Sequence, residues 1–160
     1  HVYMWMRRHD DAIAEAERAI AIDPNYVYGH AFLGVTLGYA GRSDEAIEHL
    51  NRSMQMDPNY DDILLHHLAH AHFNLGHYDE AISLLKRRLT RNPDSDISRV
   101  FLAASFGHQG HVEEAQAMWA EVLRINPDYS LEHRRQILPY KDPSAFERIV
   151  EGLRKAGLPE

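Results

Sequence analysis

Histidine is the residue type in this chain best placed to do chemistry. There are 12, and four of them, His66, His67, His70 and His72, crowd into the stretch LLHHLAHAH. His66 and His70 stand four residues apart, so on a helix both imidazoles would project from one face. That is a spacing at which two histidines can grip one metal ion. No HExxH arrangement and no other convergent ligand set accompanies the pair, so no metal is expected there. The competing reading is structural: histidines packed between helices with their ring nitrogens hydrogen-bonded. Other chemistry is weaker. The acidic pairs Asp10-Asp11 and Glu113-Glu114 fall where helices begin, and the helix dipole accounts for carboxylates there. Serine, histidine and aspartate all occur, but no spacing suggests a catalytic triad. No glycine-rich phosphate loop is present. Lys86-Arg87-Arg88 with Arg91 makes one basic cluster on a helix, read as a solvated face. No catalytic residue is assigned.

Composition narrows the classes further. The 160 residues carry 17 Lys and Arg against 24 Asp and Glu, a net charge of −7. An acidic chain lacks the footprint of a nucleic-acid binder. The absence of cysteine removes disulfides, thiolate metal sites and a cysteine nucleophile, and it fits a reducing compartment. No apolar run has the length of a membrane span, and no signal-peptide pattern opens the chain. His1 stands first and the first helical pattern begins in mid-register, so the chain reads as a fragment of a longer protein.

The elements that would position any site are set by a period. Asp-Pro or Asn-Pro recurs at Asp23-Pro24, Asp57-Pro58, Asn92-Pro93 and Asn126-Pro127, with the prolines 34, 35 and 34 residues apart. Twelve residues before each proline stands an alanine: Ala12, Ala46, Ala81 and Ala115. Five residues before each of the last three alanines stands a glycine: Gly41, Gly76 and Gly110. Such a period means a stacked array of helix pairs. In the clearest unit, Ala31, Leu33, Gly34 and Leu37 have helical spacing, and Gly34 admits close approach of a neighbour. Gly41 ends that helix at the left-handed position. Ser43 is the expected N-cap of the next, with Asp44 and Glu45 in its first turn. Ala46, Ile47, Leu50 and Met54 form its apolar stripe, and Asp57-Pro58 stops it.

These positions resemble the tetratricopeptide repeat family, whose unit is a helix–turn–helix of about 34 residues. Leu33-Gly34, Ala46 and Pro58 fit its pattern. So do Leu68-Ala69, Ala81 and Pro93, and Leu102-Ala103, Phe106, Ala115 and Pro127. The family's tryptophan place holds His30, Leu65 and Arg99 instead. The resemblance implies an all-α fold, a right-handed superhelical solenoid of antiparallel helix pairs. Residues 1–129 would be repeats, the first one incomplete, with units at about 27–60, 62–95 and 96–129. Residues 130–160 would form C-terminal capping helices. There Asp142 is the expected N-cap, Pro143 the first helical residue and Gly157 the stop.

The resemblance also implies a partner-binding groove lined by the first helix of each unit. Its members would be Tyr28, Ala31, Val35 and Tyr39, then Ile63, His66, His70, Phe73 and Asn74, then Ile97, Val100, Ala104 and His108. The lysine and asparagine that clamp a terminal carboxylate in some relatives are absent. Ala31, His66 and Val100 stand at the one place, and Val35, His70 and Ala104 at the other. The last 35 or so residues, from NPDYSLEHRR to the end, are similar in phrasing to the tetratricopeptide region of bacterial class III adenylate/guanylate cyclases. That implies a bacterial, cytoplasmic, multidomain signalling parent, and no cyclase active-site motif lies in this chain. The expected function is a non-catalytic scaffold for a protein or peptide, with no cofactor. Its partner would be separate or another domain of the same chain. Two alternatives stand beside it: a regulatory tail acting on an attached cyclase or transcription-factor domain, and a metal or small-molecule sensor centred on His66 and His70. Val2, Tyr3, Met4, Trp5 and Met6 would leave apolar surface at the N-terminal end, where a homodimer contact is expected.

Overall fold

A computed structural model describes residues 2–158. Among them are ten α-helices, one 3-10 turn and no strand. A helical turn, α1 (Val2–Trp5), precedes α2 (His9–Ile22). Then come the pairs α3 (Val27–Tyr39) with α4 (Ser43–Met56), α5 (Ile63–Asn74) with α6 (Tyr78–Arg91), and α7 (Asp96–His108) with α8 (Val112–Ile125). The short α9 (Leu131–Ile137), a 3-10 turn at Pro143–Phe146 and α10 (Glu147–Lys155) close the chain.

Each turn within a pair is made the same way. Gly41, Gly76 and Gly110 have φ of 84°, 79° and 77°. With the chain reversed there, Arg42 N–H reaches Leu37 O at 2.9 Å, His77 N–H reaches His72 O at 2.9 Å, and His111 N–H reaches Phe106 O at 2.9 Å. This is the Schellman closure, and glycine adopts it without the steric cost of a Cβ. The turn before α2 repeats it with Arg7 at φ 58° and Arg8 N–H on Tyr3 O. Ser43 does not cap α4. It is the first helical residue and buried, while Arg42 holds the cap position and sends its guanidinium to Glu45 at 2.7 Å. The closing turn needs Arg42 one residue past Gly41, and that register moves the serine inside the helix.

Small residues set the spacing of each pair. Ala12, Ala46, Ala81 and Ala115 are buried, as are Ala69 and Ala103. A Cβ on Gly34 would lie 3.1 Å from Ala46 O and closer to Leu50, so the glycine is what lets α3 rest on α4. The first helices α3, α5 and α7 pack on their own second helices and also on one another. They therefore form the inner row of a right-handed helical solenoid, with α4, α6 and α8 outside. Asp142 caps the last helical segment as its sequence suggests, accepting from Ser144 N–H at 2.9 Å, although the first turn is 3-10. Gly157 ends α10 with φ 69°.

Candidate peptide groove and the segment lying in it

The inner row divides into a covered part and an open part. Tyr39, His66, His70 and Phe73 are buried, whereas Ile63, Asn74 and His108 are half-buried and Tyr28 is 74% exposed. Much of the covering comes from the chain's own tail. After α9 the chain turns at Pro139, where Tyr140 N–H donates to Leu138 O at 2.9 Å, and Leu138, Pro139 and Tyr140 are all buried. It crosses from the last repeat back to the first.

Its anchors lie on three helices. Lys141 N–H donates to Tyr39 O, at the end of α3, at 2.9 Å. Pro139 O accepts from His9 Nε2, on α2, at 2.6 Å. Tyr140 OH meets His70 Nε2, on α5, at 2.9 Å. The Asn74 amide nitrogen, which only donates, also contacts His70 Nε2 at 3.1 Å. That nitrogen is therefore the acceptor, and the tyrosine hydroxyl donates to it. The Tyr140 ring stands edge-on to Tyr39 at 5.2 Å and to His70 at 5.4 Å. Further out, Arg7 reaches Gln136 O and Lys141 Nζ pairs with Asp10 at 2.7 Å.

Burial sets the protonation of this cluster. The His70 imidazole is pushed down to about 3 and that of His67 to about 4, chiefly because a cation there would lose its hydration. His66 is depressed for the same reason. Burial likewise pushes the Tyr39 phenol up to about 12 and raises that of Tyr140. The cluster is neutral at pH 7. His66 Nδ1 sits 3.1 Å from Ser98 Oγ, and Arg88 on α6 donates to that same hydroxyl, to Ser95 Oγ at 2.7 Å and to Asp62 at 3.1 Å. Both members of the histidine pair thus have side-chain partners. No group of three His, Asp or Glu side chains is gathered for a metal among the described residues.

His108 belongs to the docking of α10 on α7. It stacks on Tyr78 with ring centroids 4.5 Å apart, and its Nε2 donates to Arg148 O at 2.8 Å. Beside the tail remains an open cavity of about 540 Å³. Trp5, Tyr28, Val35, Ile63 and Leu138 supply its apolar walls, and Asp57, Asp61 and Arg134 also line it. His67 also lines it, and its Nδ1 is buried with no hydrogen-bond partner. Of the expected groove positions, Tyr28, Ala31, Val35, Tyr39, Ile63, His66 and Ile97 border this cavity, while Leu138, Tyr140 and Arg134 are not among the expected residues. The one local signal was Tyr140 itself, an aromatic lodged between two short helices directly after a proline.

This architecture defines a class, the helical-repeat solenoid. Residues 39–104 match the tetratricopeptide repeat family model. Among solved structures, the chain is similar to MamA 41-end from Desulfovibrio magneticus RS-1, with a TM-score of 0.71 at 12% identity over 95% of this chain and 86% of that one. Another MamA crystal structure has a TM-score of 0.70 at 23% identity over 92% and 86%. YrrB, described as a TPR protein with an unusual peptide-binding site, has a TM-score of 0.67 at 17% identity over 97% and 79%. At these identities the likeness is one of fold. A putative adenylate cyclase 3 from Rhizobium meliloti (strain 1021) is 52% identical over 44 residues. That stretch is 28% of this chain and only 8% of the cyclase. No helix among the described residues is long and apolar enough to cross a membrane.

Proposed function

We propose that the chain is a non-catalytic peptide-binding scaffold whose accessible site is the cavity between Trp5, Tyr28, Val35 and Ile63. One observation carries this reading: an open apolar cavity of about 540 Å³ on the inner row, with Tyr28 74% exposed at its wall. Such a site suits an apolar side chain of a partner peptide. Asp57 and Asp61 beside it favour a partner carrying positive charge next to that residue. Units at about 27–60, 62–95 and 96–129 would form the groove, with 130–160 as the capping region. The test is peptide display on the full chain, followed by measured affinities for an Ile63→Asp variant that melts like the parent. Selected peptides should lose at least tenfold in affinity. Equal binding to both chains would overturn the reading.

The stretch shared with the putative cyclase favours a second, compatible reading. In it the scaffold is the regulatory tail of a bacterial, cytoplasmic signalling protein, and its partner is another domain of that protein. Cyclase activity of the longer protein should then change when Ile63→Asp is introduced, and unchanged activity would remove this reading. Exposed Trp5 and Met6, at 56% and 59%, offer apolar surface for a homodimer contact. Sedimentation of the chain beside Trp5→Glu tests it, and a concentration-independent monomer for both would exclude it.

A further inference from the structure

We propose that Leu138–Lys141 is a tethered ligand. It fills, in cis, a subsite of the groove that takes a Pro-Tyr peptide turned at its proline, and a partner peptide of that chemistry competes with it. This rests on the groove reading above and names both the ligand class and the competitor.

The segment is held as peptides are held in recognition grooves, by main-chain hydrogen bonds plus one anchoring side chain. Leu138 has φ −66° and ψ 132°, an extended conformation. The Lys141 N–H and Pro139 O bonds fix the main chain against Tyr39 and His9. Proline at 139 restricts Leu138 to that extended conformation, and a tight turn follows in which Tyr140 N–H donates to Leu138 O at 2.9 Å. The anchor is Tyr140, 3% exposed, its ring packed on Tyr39 and His70. The subsite is specific for tyrosine. Phenylalanine would fill the same volume yet leave His70 Nε2 without the hydroxyl that donates to it.

Displacement requires the half-buried Arg134–Asp96 pair to part and Leu138 and Tyr140 to leave the core, while the other restraints are weak. In α9 only Leu131 is buried, and seven residues are too few for a helix stable by itself. The Lys141–Asp10 pair is exposed on both sides, and so is the Arg135–Glu147 pair. Exposed pairs of this kind add little. The α10 helix, by contrast, is anchored separately on α7. The stretch between α8 and α10 can therefore leave the groove as a loop while both helices stay seated. Being tied at both ends, it returns as an intramolecular competitor. A partner peptide then shows an affinity reduced by the fraction of chains whose groove is empty.

The experiment uses the full chain and a fluorescein-labelled peptide of sequence Gln-Ile-Leu-Pro-Tyr-Lys-Asp-Pro, copied from residues 136–143. Polarisation should show weak binding to the parent and at least tenfold tighter binding to Tyr140→Ala. The same peptide with phenylalanine for tyrosine should bind less well. Equal affinity for both chains, or no binding to either, overturns the proposal. Hydrogen exchange on the parent gives a second measure that does not depend on the variant folding. Added peptide should accelerate exchange at the Lys141 amide and leave α10 unaffected. If that amide exchanges only together with α5 and α7, the segment is core and the proposal falls. Peptides sensitive to Ile63→Asp keep the two readings apart. If they bind while the Pro-Tyr peptide does not, the groove stands and the tethered ligand alone is rejected.

Discussion

Replacing Gly152 by alanine should undock the last helix, although alanine is the better helix former. A Cβ on Gly152 would lie 2.7 Å from His108 Cδ2 and 2.9 Å from the Ala104 carbonyl carbon, against ordinary contact beyond 3.4 Å. Neither neighbour can yield. Ala104 presents the backbone of α7, and His108 is clamped between Tyr78 and Arg148 O. The helices must separate instead. A gap of about 0.5–1 Å forfeits about a quarter to a half of each dispersion contact across it. Ile149, Val150 and Leu153 are buried in this interface, and burial of each is worth about 1.5–3 kcal/mol. Losing about a third of that total removes about 1.5–3 kcal/mol. The helix-propensity gain from Gly to Ala returns about 1 kcal/mol. The net loss is about 0.5–2 kcal/mol, or about 1–8 °C in Tm for a chain of this size. Gly107→Ala strikes the same gap from the other side, because its Cβ would lie 2.8 Å from the Gly152 carbonyl carbon. The double variant should therefore cost less than the sum of the two. Thermal melts followed at 222 nm check all three. An unchanged or raised Tm for Gly152→Ala would refute the close packing of α10 on α7.

Trp119 is buried edge-on to Tyr129 at 5.9 Å. Trp119→Ala should cost about 3–5 kcal/mol in urea unfolding, and a cost under about 1 kcal/mol would place the indole at the surface. Arg88→Ala strands Asp62 and removes the donors held by Ser95 and Ser98. It should cost about 3 kcal/mol, whereas Arg124→Ala, in an exposed pair, should cost under about 0.5 kcal/mol. Burial holds His70 at about 3 and His67 at about 4, so the unfolded chain takes up these protons first as the pH falls. Their contribution is complete above about pH 6.5 and declines between there and about pH 3, by up to about 1.4 kcal/mol per pH unit for each. His70→Gln should flatten that decline in urea midpoints taken at several pH values, and parallel profiles would show that His70 does not titrate with unfolding.

The period was legible because each mark of it answers a local need. Glycine at 41, 76 and 110 supplies the left-handed residue that closes each turn. Alanine at 46, 81 and 115 lets two helices meet, and proline ends each second helix. Those needs act within one unit, so they recur in the sequence with the unit. The path of the tail answers no local need. Pro139 reads as a helix stop, and it is one, but nothing near it says that Tyr140 reaches His70 or that Lys141 meets Asp10, 131 residues away. His70 likewise stands at a groove position by register. That a tyrosine from the far end of the chain covers it is a consequence of tertiary path alone. The cap at Ser43 failed on a smaller scale, since the preceding turn fixed the register of the helix start.

The tail also changes what kind of object the array is. In an open solenoid each unit touches only its neighbours, so stability is close to a sum of unit and interface terms. Here His9 of α2 is hydrogen-bonded to Pro139, and Arg134 of α9 pairs with Asp96 of α7 at 3.0 Å. The segment leaving the last repeat is thereby fastened to the first, and the inner row is closed across its width. Leu138 and Arg134 take part in that closure and also line the cavity beside Tyr28 and Ile63. A ligand in the cavity therefore touches the same residues that seat the tail. Any difference in its affinity for the seated and unseated forms must appear, with equal magnitude, as a shift in tail seating. On the proposed reading, a ligand that distinguishes the two forms would couple groove occupancy at one end of the array to the position of the tail that follows the other end.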